Sequence, residues 1–151
     1  MDDGNFDCYV LVNSRSPEAI QRFLDRFVPV REEMASEYEV PQYSESPHHI
    51  FQTASELLQY LANHPEEHHA IYWRSVDQSV AERAMVFPTD DGAVIFGLSC
   101  PTEDVAERVL LQMKAFLASD VGCIRFEMPA PRSSAEFIRM AGSDTKRNEP
   151  A

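Results

Sequence analysis

A pattern written twice along the chain restricts its fold more than any other feature. Cys8-Tyr9-Val10-Leu11-Val12 is an unbroken apolar stretch within a strand expected over residues 6–12, buried on both faces. Ser16 then offers an acceptor for orphan helix amides, and Pro17 suits the first helical position. Ile20, Phe23, Leu24, Phe27 and Val28 recur at helical spacing as far as Pro29. The second copy, Val94-Ile95-Phe96-Gly97-Leu98-Ser99, leads to a helix opening at Thr102. That helix sets Glu103 and Asp104 at the positive end of its dipole and is expected to bury Val105, Val109, Met113, Phe116 and Leu117. The copies match in pattern and not in residue identity.

The segments between and after them complete the outline. Residues 30–47 read as a loop with strand character, in which Tyr38, Val40 and Tyr43 mark an edge interrupted by Pro41. Ile50, Phe51, Ala54, Leu57, Leu58, Leu61 and Ala62 signal another helix ending near Asn63. Ser46-Pro47 offers an early start, and Thr53 with Glu56 a capping box further in. Strands are expected over 69–75, 84–88 and 93–98, the last two joined by Thr89-Asp90-Asp91-Gly92, whose Asp-Gly pair supplies the positive φ of a tight turn. Cys123-Ile124-Arg125-Phe126-Glu127-Met128 ends the sheet, and a short helix follows the capping-box match of Ser133 with Glu136.

These readings converge on one α+β domain over residues 1–142, with 143–151 a disordered tail. A β-α-β unit written twice predicts a ferredoxin-like or related split β-α-β sandwich: a mostly antiparallel sheet with its helices on one face, embellished by the extra helix and hairpin strands.

Composition excludes several functions. With 25 acidic and 13 basic residues the formal charge is -12, and only Lys114 and Lys146 are lysines, so nucleic acid and anionic membrane surfaces are poor partners. The acidic N-terminus lacks a secretory pattern, no apolar run approaches the ~20 residues of a membrane span, and a cytoplasmic location is expected. Cys8, Cys100 and Cys123 are odd in number and without C-x-x-C spacing, which predicts free thiols. Gly4, Gly92, Gly97, Gly122 and Gly142 form no phosphate-binding loop, and no catalytic triad order stands out. Cys100, just before a helix, has no histidine nearby in sequence to activate it.

Two segments carry candidate chemistry. His64-Pro65-Glu66-Glu67-His68 matches the H-x-x-E-H string of inverted zinc proteases, but Pro65 cannot sit inside the helix that would align both imidazoles. A looser metal site from His64, His68 and His69, with Glu66, Glu67 and the His48-His49 pair within reach, is the alternative. The second segment, from Glu32 through Glu67, holds Glu32, Glu33, Glu37, Glu39, Glu45, Glu56, Glu66 and Glu67 without one Lys or Arg. Tyr38, Tyr43, Phe51 and Tyr60 are interleaved with them, and aromatics anchor interfaces while charge steers encounter. The leading expectation is therefore a small non-enzymatic, bacterial-type binding protein without a cofactor. An inhibitor or immunity protein is its concrete form, with Glu37, Tyr38, Glu39, Tyr43 and Glu45 engaging a basic partner. Against it stands an enzyme-like or ligand-binding domain using His48, His49 and the 64–69 segment. Homodimerisation through an edge strand is a third reading.

Overall fold

A computed structural model describes residues 5–77 and 80–147, the last five of these as backbone only. Six strands form one sheet in the order β2 (Arg31–Glu33), β5 (Ile71–Ser75), β6 (Arg83–Pro88), β7 (Val94–Cys100), β1 (Phe6–Val12), β8 (Gly122–Phe126). Every neighbouring pair is antiparallel. A separate two-stranded ladder joins β3 (Tyr38–Val40) to β4 (His49–Phe51).

Local chemistry explains the helices. α1 (Pro17–Phe27) begins where the Ser16 hydroxyl accepts from the Ala19 amide, and α3 (Glu103–Leu117) where Thr102 does the same for Val105. α2 (Ala54–Ala62) starts at the full capping box of Thr53 and Glu56. Because that box fixes the first turn, the expected earlier start is not realised, and Ile50 and Phe51 belong to β4. Arg15 closes the other end of α2. Its guanidinium donates to the carbonyls of Leu61 at 3.0 Å and His64 at 2.8 Å, and also to Thr89 in the β6–β7 turn.

Alternation along the central strands divides the interior into two. Cys8, Val10, Val86, Phe96 and Leu98 face α1, α2 and α3, with the Phe96 ring 4.8 Å from Phe23. Tyr9, Leu11, Met85, Phe87 and Ile95 point the other way, where Phe137 and Ala141 of α4 (Ser134–Arg147) pack on them. The expectation of helices on one face is thus corrected. Strands apolar on both faces need cover on both, and the fourth helix supplies part of it. α4 also runs through Gly142 to Arg147 and so enters the segment expected to be disordered; residues 148–151 lie outside the described residues. Phe116, expected inside, is only partly so, its ring edge-on to Phe27. Among the described residues no helix is long and apolar enough to cross a membrane.

Candidate ligand groove

Register assembles a polar row that crosses the whole sheet. Glu32 pairs with Arg74, Arg74 with Arg83, Arg83 with Ser99, Ser99 with Asp7, and Asp7 with Arg125, one residue from each strand in spatial order. Directly paired residues share a face, and alternation from Asp7 through Tyr9 to Leu11 assigns this row to the face that α4 only partly covers. Arg74 forms an ion pair with Glu32, and Arg125 donates to the Met140 carbonyl at 2.9 Å, clamping α4.

The middle of the row is buried and tightly bonded. Ser99 donates its hydroxyl proton to Asp7 Oδ1 at 2.6 Å and accepts from Arg83 Nη2 at 3.3 Å, so guanidinium, hydroxyl and carboxylate form a short relay. Tyr9 donates to the Met128 carbonyl at 2.6 Å. Burial drives the Asp7 carboxyl above its usual range, opposed by the Ser99 bond and the Arg83 charge. Arg83 lies with its Cζ 5.9 Å from the Tyr72 ring centre, a cation–π arrangement. Its Nε is buried without a hydrogen-bond partner among the described residues.

Above this floor opens a cavity of about 580 Å³ walled by Met34, Tyr72, Met85, Phe87, Met128 and Pro129. Gly97 permits the floor to be flat: a Cβ there would come within 3.1 Å of the Tyr9 ring and 3.0 Å of the Met85 methyl. Met34 and Met128 are about half exposed and form flexible lips. Asn5, Asp7, Arg83 and Glu127 also line the cavity, so more of its surface is polar than apolar. A hollow of this size in which polar groups converge between aromatic and methionine walls is a candidate small-molecule site. A second hollow, among α1, α2 and β2, is chemically quieter. Its Arg31 is paired with Asp25, and its Glu33 accepts from Tyr38 and the Ala54 amide.

The residues singled out from sequence fall into three groups. Tyr38 is buried and donates to Glu33 at 2.8 Å, so it is a structural tyrosine. Glu37, Glu39 and Tyr43 line a smaller hollow that adjoins the groove, sharing Met34 and Tyr72 with it. Glu45 is exposed and lines neither. The long acidic segment is not one uninterrupted surface: Glu32 meets Arg74, Glu33 is used internally and Glu56 caps α2.

The histidines are not brought together. His69 is buried, with Nε2 donating to the Glu39 carbonyl at 2.9 Å and Nδ1 accepting from the Ala70 amide, and burial lowers its pKa. His64 donates to the Tyr60 carbonyl at 2.7 Å and stacks on that ring, while His49 packs among Phe51 and Tyr60. His68 lines a hollow beside Tyr43, and His48 is exposed. Among the described residues no three His, Cys, Asp or Glu side chains form a group that could hold a metal ion. The structure thus does not group His64, His68 and His69, and hydrogen bonding and ring stacking engage two of the three imidazoles.

The row itself escaped the sequence reading because its members are distant along the chain. Two signals stood there: Asp7 directly precedes a run of buried apolar residues, and Ser99 sits between buried Leu98 and Cys100. A polar side chain at an inward strand position needs a partner, and register names it. Searched against protein-family models, curated proteins and solved structures, the chain matches none of them.

Proposed function

We propose that this chain is a non-catalytic binding domain whose site is the groove on the α4 side of the sheet. The observation that carries the reading is the Arg83–Ser99–Asp7 relay at the floor of a cavity of about 580 Å³ whose walls combine aromatic and methionine side chains with polar groups. Stability alone is a weak reason for such burial, since unpaired or partly paired ionic groups in an interior are costly. Binding fits better than catalysis because the acid and hydroxyl are enclosed: Ser99 and Asp7 are nearly inaccessible, and Cys8 and Cys100 belong to the opposite face. The strand order β8-β1-β7-β6, with α1 and α3 as crossovers, supports reading the scaffold as a split β-α-β sandwich into which β2 to β5 and α2 are inserted.

Methionine methyls test this directly. With 13C-methyl labelling, a small-molecule fragment library should shift Met34, Met85 and Met128, which line the groove, and leave Met113, on the opposite face, unmoved. Hits that move Met113 alone, or no methyl at all, would remove the groove from consideration.

A second reading has its own observation. Tyr43 is 82% exposed at a positive φ of 64°, and Glu37 and Glu45 are exposed near it in sequence. An aromatic presented among free carboxylates suits a basic protein partner, in the manner of an inhibitor or immunity protein. Charge reversal at Glu37, Glu39 and Glu45 together should then abolish capture of that partner while leaving fragment binding in the groove intact.

A further inference from the structure

We propose that the groove takes a small apolar monocarboxylate whose head group is held by Arg83 and whose body lies along Tyr72, Phe87 and the methionine lips. This rests on the groove being a binding site and adds the chemical class of its ligand. Arg83 Nε is a buried donor that no group among the described residues satisfies, although the neighbouring Nη2 already bonds Ser99. A guanidinium presents its N–H groups as a rigid fork, and the group that matches two parallel donors is a carboxylate or a phosphate.

The surroundings choose between them. Asp7 already offsets much of the Arg83 charge through Ser99, Glu127 adds another carboxylate to the wall, and the chain carries a formal charge of -12. A dianionic phosphate would meet more repulsion than one partly neutralised guanidinium can offset, whereas a single negative charge replaces a missing hydrogen-bond acceptor. Arg74, next in the row, is engaged by Glu32 and supplies no second clamp. The walls then set the rest of the molecule. Aromatic and thioether surfaces favour an aliphatic or aromatic body, and the two methionine lips adapt to its shape. A carboxylate of this kind comes either from a free small acid or from a peptide C-terminus; the burial of Asp7, Ser99 and Arg83 Nε at the head-group end favours the free acid, which carries no backbone amides to satisfy there.

The experiment is a titration of the 13C-methyl-methionine protein with octanoate, octanamide, octyl phosphate and a tripeptide ending in leucine with a free carboxylate. Octanoate should shift Met34, Met85 and Met128 with an affinity at least about tenfold above the amide and the phosphate, as expected for a charge-assisted bidentate contact. Arg83→Lys, which keeps the charge and loses the fork, should weaken octanoate about tenfold and leave octanamide unchanged. Asp7→Asn, which removes the competing charge while keeping an acceptor for Ser99, should tighten octanoate. Equal binding of octanoate and octanamide would overturn the carboxylate assignment while leaving the groove a binding site; tighter octyl phosphate would overturn the single charge. Tighter tripeptide would transfer the site to peptide C-termini and overturn the small-acid assignment. If no compound moves the groove methyls, the ligand class and the site fall together.

Discussion

The two faces of the central sheet are made by the same strands yet differ in kind. Toward α1, α2 and α3 the strands present Cys8, Val10, Val86, Phe96 and Leu98, an apolar surface closed by three helices. Toward α4 they present a row of charge and hydroxyl at one end, aromatic and thioether groups in the middle, and a helix over only part of the area. Strand alternation lets one sequence serve both: odd and even positions of β1 answer to different neighbours. The contrast teaches that the first face is organised for stability, while the second spends part of its area on exposed concavity and buried polarity that a purely structural face would avoid.

The largest test of that contrast is a pair of truncations. Phe96→Ala removes a fully buried ring packed on Phe23 and should lower unfolding free energy by about 3–5 kcal/mol in chemical denaturation. Tyr72→Ala, on the groove wall and only partly buried, should cost about 1–2 kcal/mol while eliminating groove binding. Equal costs would mean that the groove face is an ordinary core.

A smaller effect separates α4 from the rest. The Asp91 carboxylate in the β6–β7 turn accepts from the Ser134 amide at 3.0 Å, the Ser134 hydroxyl at 2.6 Å and the Thr89 hydroxyl at 2.6 Å, tying the start of α4 to the hairpin. Burial opposes its ionisation, but these bonds outweigh it and hold the carboxyl below the usual range. Its contribution is therefore present above the unfolded-state value of about 3.8 and is lost as pH falls through the lower folded value. Asp91→Ala should cost about 1–2 kcal/mol and raise amide exchange in α4 and its sheet contacts before that of α1 to α3. Uniform acceleration across both faces would show that they unfold as one unit.

How far the sequence revealed this division depends on distance along the chain. β1, α1, β7 and α3 were legible because periodicity and capping are local, and Thr53 with Glu56 marked the true start of α2 even though apolar spacing extended the pattern back to Ile50. α4 was seen only in its first turns, since Gly142 reads as a stop while the helix passes through it. The polar row was illegible: Asp7, Arg83 and Ser99 meet only through strand register. Arg15 escaped for the same reason, since it resembles a surface cation and instead donates to carbonyls far along the chain from it. The histidines show the converse, since adjacency in sequence did not bring His64, His68 and His69 into one group.

The pH response sharpens the comparison further, because one titrating group lies at the groove floor and another in the adjoining hollow. The Asp7 carboxyl is raised by burial, against Ser99 and Arg83, so stability should decline as pH rises from about 3.8 through its higher folded value. His69 is lowered by burial, so stability should decline as pH falls from about 6.5 toward its lower folded value. Thermal unfolding followed across this range should show Asp7→Asn removing the first slope and His69→Gln the second. Unchanged slopes in both variants would place the titrating groups elsewhere.

The smallest expected effect on stability is the most informative about use. Tyr43 holds a left-handed backbone at φ 64° with its side chain 82% exposed, beside Gln42, whose amide group brackets Ala70 in the adjoining hollow. A non-glycine residue in that conformation costs about 1 kcal/mol or more, whereas glycine costs less when folded and more in lost chain entropy. Tyr43→Gly should therefore leave unfolding free energy within about 0.5 kcal/mol of the parent. The same substitution should weaken whatever occupies the adjoining hollows, read as smaller methyl shifts at Met34 for a groove ligand or lost capture for a basic protein. Full retention of both would make Tyr43 an ordinary loop residue and leave Tyr72, beneath it, as the aromatic that defines this end of the groove.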